Sequence, residues 1–160
     1  MNLEIRPAVE KDMEDVWTLI RELAIYEKEP NAVEISVKDL INHAFSNSPL
    51  FVCFVAILNN KTVGMSLGYP RYSTWKGPTM HLEDLIVTEN FRGLGIGQAL
   101  FSNFIKYSYD KEVKRIEWAV LNWNFDAIKF YESNGAKVSD DWHIAQMSEK
   151  AISDFINKNK

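Results

Sequence analysis

Two adjacent acids, Glu83 and Asp84, sit inside the apolar run Met80 to Val87, and the glycine-rich segment Arg92-Gly93-Leu94-Gly95-Ile96-Gly97 follows closely. Carboxylates in an apolar setting can hold a cation or take a proton from one. Glycines let backbone approach a ligand, and a helix running on from Gln98 would aim its unpaired N–H groups and positive end into the loop. A pyrophosphate fits such a joint. The dinucleotide fingerprint needs glycine at 98 or 100, where the chain has Gln98 and Leu100, and the triphosphatase loop needs a Gly-Lys-Ser/Thr ending that is missing. What remains is Arg-x-x-Gly-x-Gly on Arg92, Gly95 and Gly97. Taken alone, that loop also reads as a plain turn between a strand and a helix.

These residues have to be positioned by a fold, and the chain has the material for one. Its 160 residues are 46% hydrophobic and 25% charged, which suits a single domain over 1–160 with a sizeable core. The net charge of −4 argues against a nucleic-acid partner and favours a cationic substrate. Cys53 is the one cysteine, so no internal disulfide forms and a reducing, cytoplasmic setting is expected. The N-terminus alternates charged and apolar residues, unlike a signal peptide. The run Leu50 to Leu58 is far shorter than the ~20 residues that span a bilayer, so no membrane partner is expected.

In chain order, Leu3 to Arg6 alternates as a short strand, and Met13, Val16, Trp17, Ile20, Leu23 and Ala24 mark an amphipathic helix from about Glu10 to Tyr26. A second helix is expected over Val37 to Phe45 with Ser36 as its cap. Phe51 to Leu58 reads as a buried strand that turns at Asn59-Asn60-Lys61 into a partner over Thr62 to Tyr72. Tyr72 to Pro78 is expected as a loop and Thr79 to Val87 as a strand, with a helix after the glycines ending near Tyr109. Arg115 to Leu121 is expected as a strand, Asn124 to Ser133 as a helix stopped by Asn134-Gly135-Ala136, Trp142 to Met147 as a last strand, and a polar helix from Ser148 onward. The order predicts a mixed α/β sheet flanked by helices.

The segment Asn124-Phe125-Asp126-Ala127-Ile128-Lys129-Phe130-Tyr131-Glu132-Ser133-Asn134-Gly135 is similar to the Asn-x-x-Ala-x-x-Phe-Tyr-x-x-x-Gly element of the GNAT acetyltransferase superfamily, whose acetyl-coenzyme A loop Arg92 to Gly97 also resembles. Leu82-Glu83-Asp84, Tyr72 to Gly77, Ala119 to Asn124 and Tyr26-Glu27 resemble the diamine acetyltransferases, the spermidine/spermine and thialysine enzymes among them. The resemblance runs from Ile5 to about Trp142. It implies an α/β, single-domain fold with a mixed, mostly antiparallel sheet of six to seven strands and helices on both sides. It also implies a homodimer that moves acetyl from acetyl-CoA to the primary amine of a small cationic molecule by direct attack in a ternary complex; the alternatives are acetylation of a protein N-terminus or lysine and a non-catalytic acyl-CoA-binding regulator. On this resemblance Leu85, Ile86, Val87, Arg92, Gly93, Leu94, Gly95, Ile96, Gly97, Gln98 and Asn124 bind the coenzyme. Tyr131 matches the general acid, Glu83 the base-side carboxylate, and Tyr26, Glu27, Trp75, Glu83 and Asp84 the substrate contacts. Glu132 and Ser133 depart from the pattern, because many polyamine-acetylating relatives have basic residues there; Lys129 is the nearby substitute.

The chemistry supplies a reason for each group. An alkylammonium with pKa near ~10 must lose a proton before its nitrogen attacks a thioester, and a departing thiolate needs a donor such as a tyrosine, itself near ~10. Neighbours on an ideal strand point to opposite faces, so Glu83 and Asp84 serve one pocket only if the strand bulges; otherwise each serves its own surface. Tyr131 on an amphipathic helix also suits a core or rim position. Cys53, within Phe51 to Val55, reads as a buried inert thiol. His43, His81 and His143 lack metal-ligand spacing, and no metal is expected. Lys76, in the Tyr72 to Pro78 loop, could meet the α-carboxylate of a thialysine-like substrate, or be a solvated charge.

Overall fold

The computed structural model describes residues 2–158. The chain divides into two compact units, one ending at Ala119 and one starting at Val120. In the first, strands β1 (Leu3–Pro7), β2 (Val52–Leu58), β3 (Lys61–Ser73), β4 (Gly77–Val87) and β5 (Ile116–Glu117) form one sheet in that spatial order, with helices α1 (Met13–Tyr26), α2 (Val37–Ala44) and α3 (Ile96–Asp110). All neighbouring pairs are antiparallel except β4 with β5. Asn59 and Asn60 turn the β2–β3 hairpin with φ of 49° and 65°, conformations that asparagine tolerates in tight hairpin turns.

Alternation along the strands sorts side chains to two faces. Val55, Met65, Leu67 and Ile86 pack with Met13, Val16 and Leu19 of α1 and Leu40 of α2. Ser36 caps α2 by accepting from the Asp39 N–H at 3.2 Å, while its own N–H donates to the Asp39 carboxylate at 2.8 Å. The other face carries Gly64, Ser66 and Gly68 along β3, and α3 lies against it. A Cβ on Gly68 would stand 2.4 Å from the ring of Phe104, so the glycine is what lets α3 come this close.

The expected elements appear with four differences. Among the described residues the sheet has five strands and not six to seven. Arg115 to Leu121 contributes only the two residues of β5, paired through Met80 with Ile116 and His81 with Glu117, because the parallel neighbour leaves the ladder there. Trp142 to Met147 is not a strand: it finds no ladder partner, and Trp142, Ile144 and Met147 are exposed. The Tyr72 to Pro78 loop shrinks to Thr74-Trp75-Lys76, since Ser73 still pairs with Gly77.

In the second unit α4 spans Phe125–Ser133 and α5 spans Glu149–Lys158. Asn124 caps α4, its side-chain oxygen accepting from the Ala127 N–H at 3.3 Å. Its end is closed by Gly135 N–H to Glu132 O and Ala136 N–H to Tyr131 O, both 3.0 Å. Among the described residues no helix is long and apolar enough to cross a membrane.

Candidate active site

A bulge in β4 decides where the acids go. Leu67 pairs with Asp84 but Gly68 pairs with Leu82, so Glu83 is the extra residue. Asp84 therefore shares the α1 face with Ile86, while Leu82 falls on the face that holds α3. Upstream of the bulge, His81 pairs with Tyr69, and their rings stack at 5.1 Å. The Tyr69 hydroxyl donates to Glu83 Oε2 at 2.9 Å, and His81 Nε2 stands 3.5 Å from that oxygen. Arg71 Nη1 lies 3.3 Å from His81 Nδ1. A guanidinium only donates, so Nδ1 accepts and the ring proton sits on Nε2, towards Glu83. Burial, with Arg71 adding to it and Glu83 and Glu117 opposing, holds the His81 pKa below its ordinary value.

Glu27, the residue that follows α1, is near enough to the two strand acids for their charges to act on one another. Burial first, then the charges of Glu83 and Glu27, push the Asp84 carboxyl up to about 7. Burial and Glu83 also raise Glu27. Among the described residues neither Asp84 nor Glu27 has a cationic side chain paired with it. Repulsion of this kind is relieved when an external cation enters, and a carboxyl titrating near neutrality can accept a proton.

The glycine loop lies between β4 and α3 in the same unit. Gly95 is the residue before α3, with φ of 79° and ψ of 0°, a left-handed conformation that glycine adopts without strain. Among the described residues no side chain caps this helix end, and no acid lies in its first turn. A Cβ on Gly97 would meet only Val87, at an ordinary 3.8 Å, so this chain's own packing does not demand glycine there. Open backbone at a helix amino end suits a pyrophosphate. The loop is tied to α1: Glu22 accepts from the Thr88 hydroxyl at 2.6 Å and the Glu89 N–H at 3.1 Å. Arg92 donates through Nε to Val87 O at 2.9 Å and covers the Tyr26 ring at 5.2 Å.

The expected coenzyme residues divide by exposure. Gly93, Leu94, Gly95 and Gln98 are exposed, Leu85 and Gly97 half-buried, and Ile86, Val87 and Ile96 buried. Ile86 lies in the α1-side core, so its side chain is committed there. Beyond His81, the β4 edge facing β5 has no strand partner among the described residues, leaving backbone on that edge through Leu85 and Val87.

The structure thus assembles Glu27, Glu83 and Asp84 on one face, with Tyr26 and Arg92 at the loop. It does not bring Trp75 to them: the hairpin tip stands roughly 20 Å along the strands from Leu67, and Trp75 is 78% exposed. Tyr131, buried, and Asn124 belong to α4 in the second unit. Sequence reasoning missed Tyr69, Arg71 and Glu22, and treated His81 only as a possible ligand of a metal. The available signal was alternation, because Tyr69 and Arg71 on β3 face His81 on β4 once the hairpin register is known. Burial drives the Cys53 thiol to about 12, with Asp12 and Asp84 adding to it, so it is no nucleophile. Among the described residues no group of three or more His, Cys, Asp and Glu side chains could hold a metal ion.

The acetyltransferase (GNAT) family pattern matches residues 13–136, across both units. Thialysine N-epsilon-acetyltransferase of Bos taurus is 34% identical over 96% of this chain and 97% of its own length. Spermidine/spermine N(1)-acetyltransferase-like protein 1 of Homo sapiens is 30% identical over 95% of this chain, which spans 23% of that longer protein. An integron cassette protein from V. cholerae shares the fold, with a TM-score of 0.79 and 24% identity over 98% of each chain. With the glycine loop leading into α3 and the carboxylates on β4, these likenesses place the chain in the acetyltransferase (GNAT) family, as an acetyl-CoA-dependent amine N-acetyltransferase.

Proposed function

We propose that the chain acetylates the primary amine of a small cationic molecule, a thialysine-like amino acid in preference to a polyamine, by direct attack while both substrates are bound. The observation that carries this reading is the cluster of Glu27 with Glu83 and Asp84 of the β4 bulge, in which, among the described residues, no cationic side chain pairs with Asp84 or Glu27. Acetyl-CoA supplies a thioester, whose C–S bond breaks as the amine nitrogen forms the amide. Arg92, Gly93, Leu94, Gly95, Ile96, Gly97 and Gln98 would hold its phosphates, with the backbone of Leu85, Ile86 and Val87 and the side chain of Asn124 along the rest. Asp84, Glu27 and Tyr26 hold the ammonium. Glu83 takes its proton, directly or through water, so that the nitrogen lone pair is free. Tyr131 gives a proton to the departing thiolate. The 34% identity to a thialysine enzyme along nearly the whole of both chains supports the choice of amine. Residues 1–160 act as one domain, in a cytoplasmic homodimer.

Turnover of acetyl-CoA with thialysine and with spermidine, at equal pH and ionic strength, tests the reading. The expected result is a higher kcat/KM for thialysine, with Tyr131→Phe lowering kcat by roughly 10²-fold while coenzyme affinity holds. No turnover with any amine would overturn it. Near-normal kcat in Tyr131→Phe would remove Tyr131 as the acid.

A further inference from the structure

We infer that Arg71 is a specificity-determining residue that takes the carboxylate of an amino-acid substrate whose terminal ammonium occupies the Glu27, Glu83 and Asp84 cluster. This rests on the amine-acetylation reading above. Three observations in the first unit lead to it.

The first is placement. Tyr69 and Arg71 are alternate residues of β3 and His81 is the β4 partner of Tyr69, so all three share the α1 face with Asp84. Arg71 and Glu83 contact opposite nitrogens of the His81 imidazole, at 3.3 and 3.5 Å. One ring and two polar contacts thus separate guanidinium from carboxylate. That span is comparable with the distance from the α-carboxylate to the terminal ammonium in an extended lysine-length amino acid.

The second is charge. Glu117 Oε2 lies 3.1 Å from Arg115 Nη2 and 3.8 Å from Arg71 Nη1, so one carboxylate serves two guanidiniums and the nearer claim is that of Arg115. Arg71 is left the looser partner, with its side chain 51% exposed. A planar guanidinium with donors to spare is suited to paired hydrogen bonds with a carboxylate. The face is therefore negative at the β4 bulge and positive towards Arg71. A ligand with an ammonium at one end and a carboxylate at the other matches that polarity, whereas a diamine would bring its second ammonium against Arg71.

The third is the position of the other cation, Lys76. It lies in the exposed turn at the hairpin tip, past Ser73 and Gly77, farther from the acids than Arg71. If Arg71 served only to tie β3 to β5 through Glu117, replacing it would affect all substrates alike.

The test uses the full chain and two acceptors that differ only by the carboxylate: thialysine and bis(2-aminoethyl) sulfide. The variants are Arg71→Ala and Arg71→Lys, with Tm recorded for each. Arg71→Ala is expected to lower kcat/KM for thialysine about 10- to 100-fold, mostly through KM, because a charge-assisted hydrogen-bonded pair is lost. For the sulfide diamine kcat/KM should stay within about 2-fold or rise, and Arg71→Lys should recover part of the thialysine loss. An equal loss on both acceptors, or no loss on either, overturns the role of Arg71 and leaves the acetylation reading standing. Wild-type protein that acetylates neither acceptor overturns that reading, and this inference with it.

Discussion

Asp12 and Asp84 are both aspartates withdrawn from solvent on the α1 side of the sheet, and they titrate in opposite directions. Asp12 is 5% exposed and fully provided for: Arg6 donates to both carboxylate oxygens at 2.6 and 2.9 Å, and the Val9 N–H adds a third bond at 2.8 Å. The Arg6 hydrogen bond, outweighing burial, holds its pKa below the ordinary value. Asp84 is pushed up to about 7 by burial first and then by the charges of Glu83 and Glu27, with no cation to offset them among the described residues. Cys53 feels both charges. Burial alone therefore does not separate a structural acid from a functional one; the presence or lack of a counter-cation within the chain does.

Neutralising Asp84 should give the largest effect and separate function from stability. Asp84→Asn is expected to lower kcat/KM by ~10² or more, because it removes a charge that would hold the ammonium. The folded pKa lies above the ordinary 3.8, so ionisation of this group disfavours the fold: the contribution of Asp84 to stability is greatest below pH 3.8 and declines as pH rises towards 7. The variant escapes that decline. It should be more stable than wild type at pH 8, by on the order of 2 kcal/mol, and the gap should close by pH 4. Thermal melts at the two pH values check this; a variant less stable at pH 8 would mean that Asp84 has a partner after all.

The matching change at Asp12 should do the reverse. Asp12→Asn breaks a partly buried ion pair and should cost about 2 kcal/mol at neutral pH while leaving KM and kcat near wild type. Because the folded pKa is depressed, the wild-type contribution is present above pH 3.8 and is lost as pH falls through the lower folded value. The two proteins should therefore converge in acid. Denaturant midpoints at pH 7 and pH 3 measure it.

Much of this contrast was legible in the sequence, and its limits follow from the physics. Periodicity located α2, α3 and the β2–β3 hairpin within a residue or two and α1 within about three, because their apolar positions repeat over many residues. Glu83-Asp84 stood out as charge in an apolar run, and the need for a bulge could be stated. Its presence depended on the register of β3 against β4, which is a long-range property. The same holds for Tyr69, Arg71 and His81, unremarkable in one dimension and adjacent in three. Trp142 to Met147 misled for the opposite reason: alternation marks a residue pattern that suits a strand, but a strand also needs a neighbour.

Two glycines on the α3 side extend the contrast between packing and function, at the smallest scale of effect. At Gly68 a methyl would meet Phe104 at 2.4 Å and the His81 carbonyl at 2.5 Å, so Gly68→Ala must displace α3 or the strand. It should lower stability by about 1–3 kcal/mol. At Gly97 the same methyl meets only Val87 at 3.8 Å, in a helix where alanine is intrinsically preferred. Gly97→Ala should therefore leave Tm unchanged or slightly higher. If the amino end of α3 holds the coenzyme pyrophosphate on its backbone, that methyl still intrudes on the ligand, and acetyl-CoA affinity measured by calorimetry should weaken about 10-fold. Unchanged affinity in a folded Gly97→Ala protein would move the pyrophosphate off this helix end. Equal destabilisation by the two alanines would mean that Gly97, like Gly68, is there for packing.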